Sequence, residues 1–176
     1  MENKSYQCNI DAQEDEDRFV ASALITDILK GKGFTNIKCN GTSIKCSVDL
    51  KCSCTIDYNT NCNFNVEIKK NTKTQSQLEI FPHTLLKQGK LLRMKNESEG
   101  LPLYFVVLLN EQYGYIYNCR TINWNDVELV NLRQKRIQYN PNSDWINIPT
   151  YRIPYNMGYK FNINQYYNQY RQNKIN

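Results

Sequence analysis

With 176 residues the chain is long enough for one domain with a proper core and too short for two comfortable ones. It has no apolar leader segment and no apolar run of the roughly eighteen residues a membrane helix needs, which argues against secretion and membrane spanning. Its net charge of +5 and seven cysteines, an odd number, fit an intracellular chain, cytoplasmic or nuclear, with free thiols and a polyanionic partner.

Residues 1–13 lack periodicity and read as a loose lead-in. A helix is expected from Glu14 to Lys32, because Val20, Leu24 and Ile28 recur at helical spacing and Gly31 and Gly33 end it. Asp17 projects on the same face as this apolar stripe, with Glu14 one turn earlier. Phe34–Cys39 reads as a strand and Asn40-Gly41 as a turn. From Ile44 to Ile56 apolar residues and cysteines alternate with polar ones, as one long strand or two joined by a kink. Asn59, Thr60 and Asn61 then make a polar turn before Phe64, Val66 and Ile68 alternate with Asn63, Asn65, Glu67 and Lys69. Residues 71–80 are a polar connection, and a second helix is expected from Pro82 to about Lys95. Leu103–Leu109 is apolar on both faces and reads as a central strand covered on both sides, with Tyr113–Cys119 as the next strand. Trp124–Tyr139 holds a short helix with Arg133, Lys135 and Arg136. The rest is extended and turn-rich, ending in a tyrosine-rich and asparagine-rich tail, a usage that suggests an AT-rich, viral or phage, genome. The pattern predicts an α/β fold, a mixed central β-sheet flanked by helices, with a core over 14–120 and a C-terminal extension over 121–176.

The period of two places Glu67 and Lys69 on one strand face, and closing the hairpin brings Asp57 alongside them. Asp49 has the same parity as Asp57 and takes its place if the turn is longer; the shorter loop favours Asp57. Two carboxylates and an ammonium on a rigid sheet edge are what a metal-dependent phosphodiesterase needs. Mg2+ takes oxygen ligands and usually only one or two protein carboxylates, leaving positions for water and a substrate phosphate. Immediately downstream, Lys70, Lys73, Lys87, Lys90 and Arg93 stand against a single Glu79, which favours nucleic acid beside the site.

Asp57, Glu67, Ile68 and Lys69 form a D-x9-E-x-K pattern on consecutive strands, preceded by an acidic helix and followed by a basic one. In this the chain resembles the PD-(D/E)XK nuclease superfamily, over roughly residues 14–120, although Ile56 stands where that motif's proline is often found. The resemblance implies a restriction-endonuclease-like core and a Mg2+- or Mn2+-dependent nuclease cutting DNA, endonuclease before exonuclease, with RNA left open. It assigns catalysis to Asp57, Glu67 and Lys69, metal binding to Asp57, Glu67 and Ile68, and a further acid to Asp17 on the first helix, with Glu14 behind it. It also leaves a homodimer open.

Three other readings stand beside this one. The E-x-K face can be a solvated surface with a weak ion pair. The fold can bind nucleic acid, or serve as an interaction protein, without cutting. Cys52-x-Cys54 with Cys46 and Cys62 can be a zinc module of regulatory type, although the chain has no C-x2-C pair and its only histidine is the distant His83.

Overall fold

The computed structural model describes residues 3–42, 46–56, 60–136 and 142–175, with the backbone alone at 3–11 and 75. Helix α1 (Asn3–Gly31) starts well before Glu14, so the segment expected to be a loose lead-in is helical from Asn3. No glycine or proline interrupts it before Gly31. Once Val20, Ala21, Leu24 and Ile25 are held in the core, each further turn outward adds a hydrogen bond without a new nucleation cost. The helix ends in a Schellman motif. The Phe34 N–H donates to the Leu29 carbonyl at 3.0 Å and the Gly33 N–H to Lys30 at 2.9 Å, with Gly33 at φ +86°. Gly33→Ala is therefore expected to cost about 1 kcal/mol and to lower the melting temperature by a few degrees, measured by thermal unfolding.

Two cores lie on the two faces of a six-stranded sheet. Strands β1 (Thr35–Gly41), β2 (Leu50–Ile56) and β3 (Thr60–Asn71) pair antiparallel. Of the expected strand, or kinked pair of strands, over residues 44–56, the described part forms β2 from Leu50 onward, with residues 46–49 outside it. Strand β4 (His83–Lys87) leaves the sheet, β5 (Leu103–Leu109) returns parallel to β3, and β6 (Tyr113–Asn118) pairs antiparallel with β5. Val106 and Leu108 of β5 pack with α1, while Phe105, Val107 and Leu109 pack on the opposite side, so this central strand is covered on both faces as its composition predicts.

The second layer differs from expectation. The stretch expected to be one helix from Pro82 splits into β4 and the helix α3 (Gln88–Glu97), and the short α2 (Gln75–Ile80) forms in the polar connection. Strand β4 pairs with β8 (Trp145–Pro154), which also pairs with β7 (Glu128–Lys135), giving a separate sheet ordered β4-β8-β7. The short helix expected between Trp124 and Tyr139 is this β7 strand. In both places a partner distant in sequence overrides a weak local preference. The tail adds β9 (Tyr159–Asn162) to the outer edge of β6, and α4 (Asn164–Ile175) buries Tyr166 and Tyr167 in the α1-side core. Beyond residue 121, β7 and β8 thus belong to the three-stranded sheet and β9 to the six-stranded one. No described helix is long and apolar enough to cross a membrane.

Candidate active site on the central strand

β3 lies between β2 and β5, so Glu67 and Lys69 sit on an interior strand and not on a sheet edge. Phe64, Val66 and Ile68 face α1; by the strand period, Asn65, Glu67 and Lys69 face α3 and β4. This buries Glu67, which is 4 % exposed, and excludes the reading of a solvated ion-pair face for that carboxylate.

The partner carboxylate is Asp49. The β2–β3 register runs from Ile56 opposite Thr60 to Leu50 opposite Val66, and Asp49 stands where β2 would continue. Its N–H donates to the Val66 carbonyl at 2.9 Å, and its carboxylate accepts the Ile68 N–H at 2.7 Å. A side chain here replaces the missing ladder partner of Ile68 and so fixes the acid beside Glu67. The N–H and carbonyl of one strand residue point to the same side, so the Ile68 carbonyl borders the same space. Asp57, the expected metal aspartate, lies outside the described residues. Its neighbour Ile56 pairs with Thr60, seven residues from Glu67, or about 23 Å along the strand.

The segment carrying Asp49 is tied down. The Ser47 N–H and hydroxyl donate to the Glu97 carboxylate at the end of α3, at 2.7 and 2.8 Å. Those bonds hold the Glu97 carboxyl below its ordinary pKa. On the other side, the Asn65 amide donates to the Ser98 hydroxyl at 3.0 Å, which donates to Met94 at 2.7 Å, docking α3 against β3. Lys90 of α3 consequently reaches Glu67 and ion-pairs with its Oε1.

The other oxygen, Oε2 of Glu67, is buried and finds no donor; when the carboxyl is protonated, its partner is the Asp49 carboxylate. Burial, then the charge of Asp49, push the Glu67 carboxyl up to about 8 against the pull of Lys90. Lys69 donates from Nζ to the Leu85 carbonyl of β4 at 2.6 Å. Burial, then the charges of Lys73, Lys87 and Lys90, bring its ammonium down to about 8. A buried carboxyl, a second carboxylate beside it and a backbone carbonyl are the oxygen donors that Mg2+ or Mn2+ takes, and such ions need no more than one or two protein carboxylates.

Other expected site residues are placed elsewhere. Asp17 lies on the α1 side of the sheet, where Lys70 approaches it to 3.3 Å and the Tyr167 hydroxyl donates to it at 3.1 Å. Lys70 also pairs with Glu111 at 3.7 Å. Both residues are thus separated from Glu67 by the sheet: consecutive strand residues point to opposite faces, so Lys70 cannot accompany Lys69. Asp17 therefore does not stand with Glu67 and Lys69, and Lys70 is engaged with two acids on the far face. Glu14 is at 4.0 Å from Arg18 on α1, one helical turn on. Lys73 is used locally, donating to the carbonyls of Phe81 and His83 at 3.0 and 2.7 Å. Lys87 and Arg93 are exposed near the site. The contact of Lys90 with Glu67 was missed, since its helical position alone says nothing about which strand residue it meets.

Four of the described cysteines stand in cross-strand pairs, Cys39 opposite Cys52 and Cys54 opposite Cys62. Among the described residues no three or more His, Cys, Asp or Glu side chains gather as a metal site, so the carboxylate pair rests on oxygen chemistry and two acids. Compared with known proteins, the chain matches no family model, no curated protein and no solved structure.

Proposed function

We propose that the chain is a Mg2+- or Mn2+-dependent nuclease that hydrolyses phosphodiester bonds in DNA, with Asp49 and Glu67 as metal carboxylates and Lys69 as the catalytic amine. The observation that carries this reading is the close carboxyl pair of Glu67 and Asp49, in which the Asp49 charge raises the buried Glu67, on one strand face with Lys69. Two acids crowded together in the interior cost stability in a purely structural role. The order of an acidic helix, the E-x-K strand and the basic α3 supports the restriction-endonuclease-like form of the proposal.

A divalent cation bound there supplies a more acidic water and charge stabilisation at the phosphate. The protein's own residues do the rest. Asp49 is held rigid by the Ile68 N–H and by the Ser47–Glu97 anchor. Glu67, its proton lost to solvent, would share the ion with Asp49, and Lys90, which pairs with Glu67 here, would be the cation placed to meet a substrate phosphate. Lys69, already lowered to about 8, accepts a proton from the attacking water near neutral pH. Lys87 and Arg93 add positive potential along the approach.

The observed pairing of Lys90 with Glu67, together with the Lys69 bond to Leu85, also fits a second reading, a nuclease-like chain that binds nucleic acid without cutting it. Incubation with circular single- and double-stranded DNA separates the two. Cleavage with Mg2+ or Mn2+ that stops with EDTA is expected; retention of intact circles under every divalent ion would favour the second reading.

A further inference from the structure

The β7–β8 hairpin presents a large aromatic residue to solvent: Trp145 is 55 % exposed. Burial of apolar area drives folding, and an indole left outside the core at the end of a strand adds little to stability. Two cations cover it. The Arg133 guanidinium lies 5.3 Å and the Lys135 ammonium 5.8 Å from the ring centroid. The β7–β8 register puts Lys135 opposite Trp145 and Arg133 opposite Asn147, so all four share one face.

That face continues toward α3. Leu129, 47 % exposed, pairs with Tyr151, whose ring packs on Trp124 at 4.9 Å, and Lys95 of α3 stands 5.2 Å over Trp124. From Tyr151 to Trp145 is about 20 Å along β8. An exposed ring flanked by cations at one end of the face, with a further cation, Lys95, at the other, matches the chemistry of an unpaired polynucleotide, whose bases have stackable faces and whose phosphates are regularly spaced. An acidic peptide would use the cations and leave the exposed indole without a purpose.

We propose that this face is a binding track for single-stranded nucleic acid, with a base stacked on Trp145 and phosphates held by Arg133 and Lys135. The track takes from the proposed nuclease activity only the class of partner. It would guide a single strand past the α3 side of the molecule, where Lys87 and Lys90 flank the carboxylates.

Tryptophan fluorescence of the Trp124→Phe protein, titrated with a twelve-nucleotide oligothymidine in EDTA, reads the stacking directly because Trp145 is then the sole emitter. Saturable quenching is expected, and binding measured by anisotropy should weaken about tenfold in Trp145→Ala, made on otherwise native protein. Arg133→Ala should flatten the salt dependence of binding. Binding by anisotropy with neither quenching nor loss in Trp145→Ala would overturn the track while leaving the nuclease reading standing. Quenching and tight binding without cleavage in Mg2+ would do the reverse. Equal quenching by polyglutamate would also overturn it, identifying a general polyanion surface, and so would an equal preference for the matching duplex.

Discussion

Glu67→Gln is expected to abolish cleavage, by about 10³-fold or more, and at the same time to raise the stability of the metal-free protein. The loss of activity follows from removing one of the two carboxylates proposed to hold the cation; a 10³-fold fall corresponds to about 4 kcal/mol. The gain in stability follows from the protonation of Glu67, whose carboxyl is raised from 4.5 to about 8. Between those values the folded chain holds a proton that the unfolded chain has released, so stability falls as pH rises through that window. Glutamine mimics the protonated carboxyl and escapes the fall. The variant and the native chain should therefore differ little near pH 4.5, and the gap should widen to on the order of 1–3 kcal/mol above pH 8. That is worth several degrees of melting temperature in a domain of this size. Lys90 loses its partner in the variant, but at 36 % side-chain exposure it reaches water. Thermal unfolding in EDTA at several pH values is the check, and parallel pH curves would count against a buried, proton-holding Glu67.

The second large effect concerns Lys69. If its amine takes the proton from the attacking water, cleavage should rise with pH and level off at or below about 8, since a bound cation lowers the amine further. Lys69→Met should reduce cleavage by roughly 10²–10⁴-fold, and Lys69→Arg, charged at every working pH, should be no better. An arginine variant that cuts well would make the residue an electrostatic partner of the phosphate instead. DNA retention should survive both changes, because Lys87 and Arg93 are untouched. Stability gives an independent sign. The folded chain holds the Lys69 amine below its ordinary 10.5; where the ammonium persists, burial works against the fold, and that cost is relieved as pH rises from about 8 to 10.5. Methionine should accordingly stabilise the protein at neutral pH. A side chain kept for structure loses stability when it is removed; one held for function at a cost to the fold behaves oppositely.

Glu67 and Lys69 were legible in the sequence because a strand's period of two is enough to put them on one face. The strand Leu103–Leu109 was legible for a similar reason: seven apolar residues in a row have nowhere to go but the middle of a covered sheet. Asp49 was harder. It shares its parity with Asp57, and the choice between them depends on where β2 stops pairing with β3, a matter of register that alternation does not fix. The preference for the shorter loop favoured Asp57, which lies outside the described residues; in the structure β2 starts at Leu50, and Asp49 just before it reaches the Ile68 N–H with its side chain. Asp17 illustrates a second limit. Helical spacing identifies the face of α1 that meets the sheet, and the structure bears that out through Val20 and Leu24. Which side of the sheet the helix docks on is not contained in that spacing, and it docks on the side away from Glu67. The strands β4 and β7 were hidden for a third reason. Both depend on β8, as Thr84 pairs with Ile153 and Val130 with Thr150, and neither short segment has a decisive local period.

Binding of Mn2+ to the native chain and to its single-residue variants, followed by electron paramagnetic resonance of the free ion, tests the carboxylate pair without reference to any substrate. One ion should bind the native protein; Asp49→Asn and Glu67→Gln should each weaken it at least tenfold, while Asp57→Asn leaves it unchanged. Affinity lost in Asp57→Asn and kept in Asp49→Asn would contradict the assignment, and absence of binding to the native chain would remove the metal from it altogether.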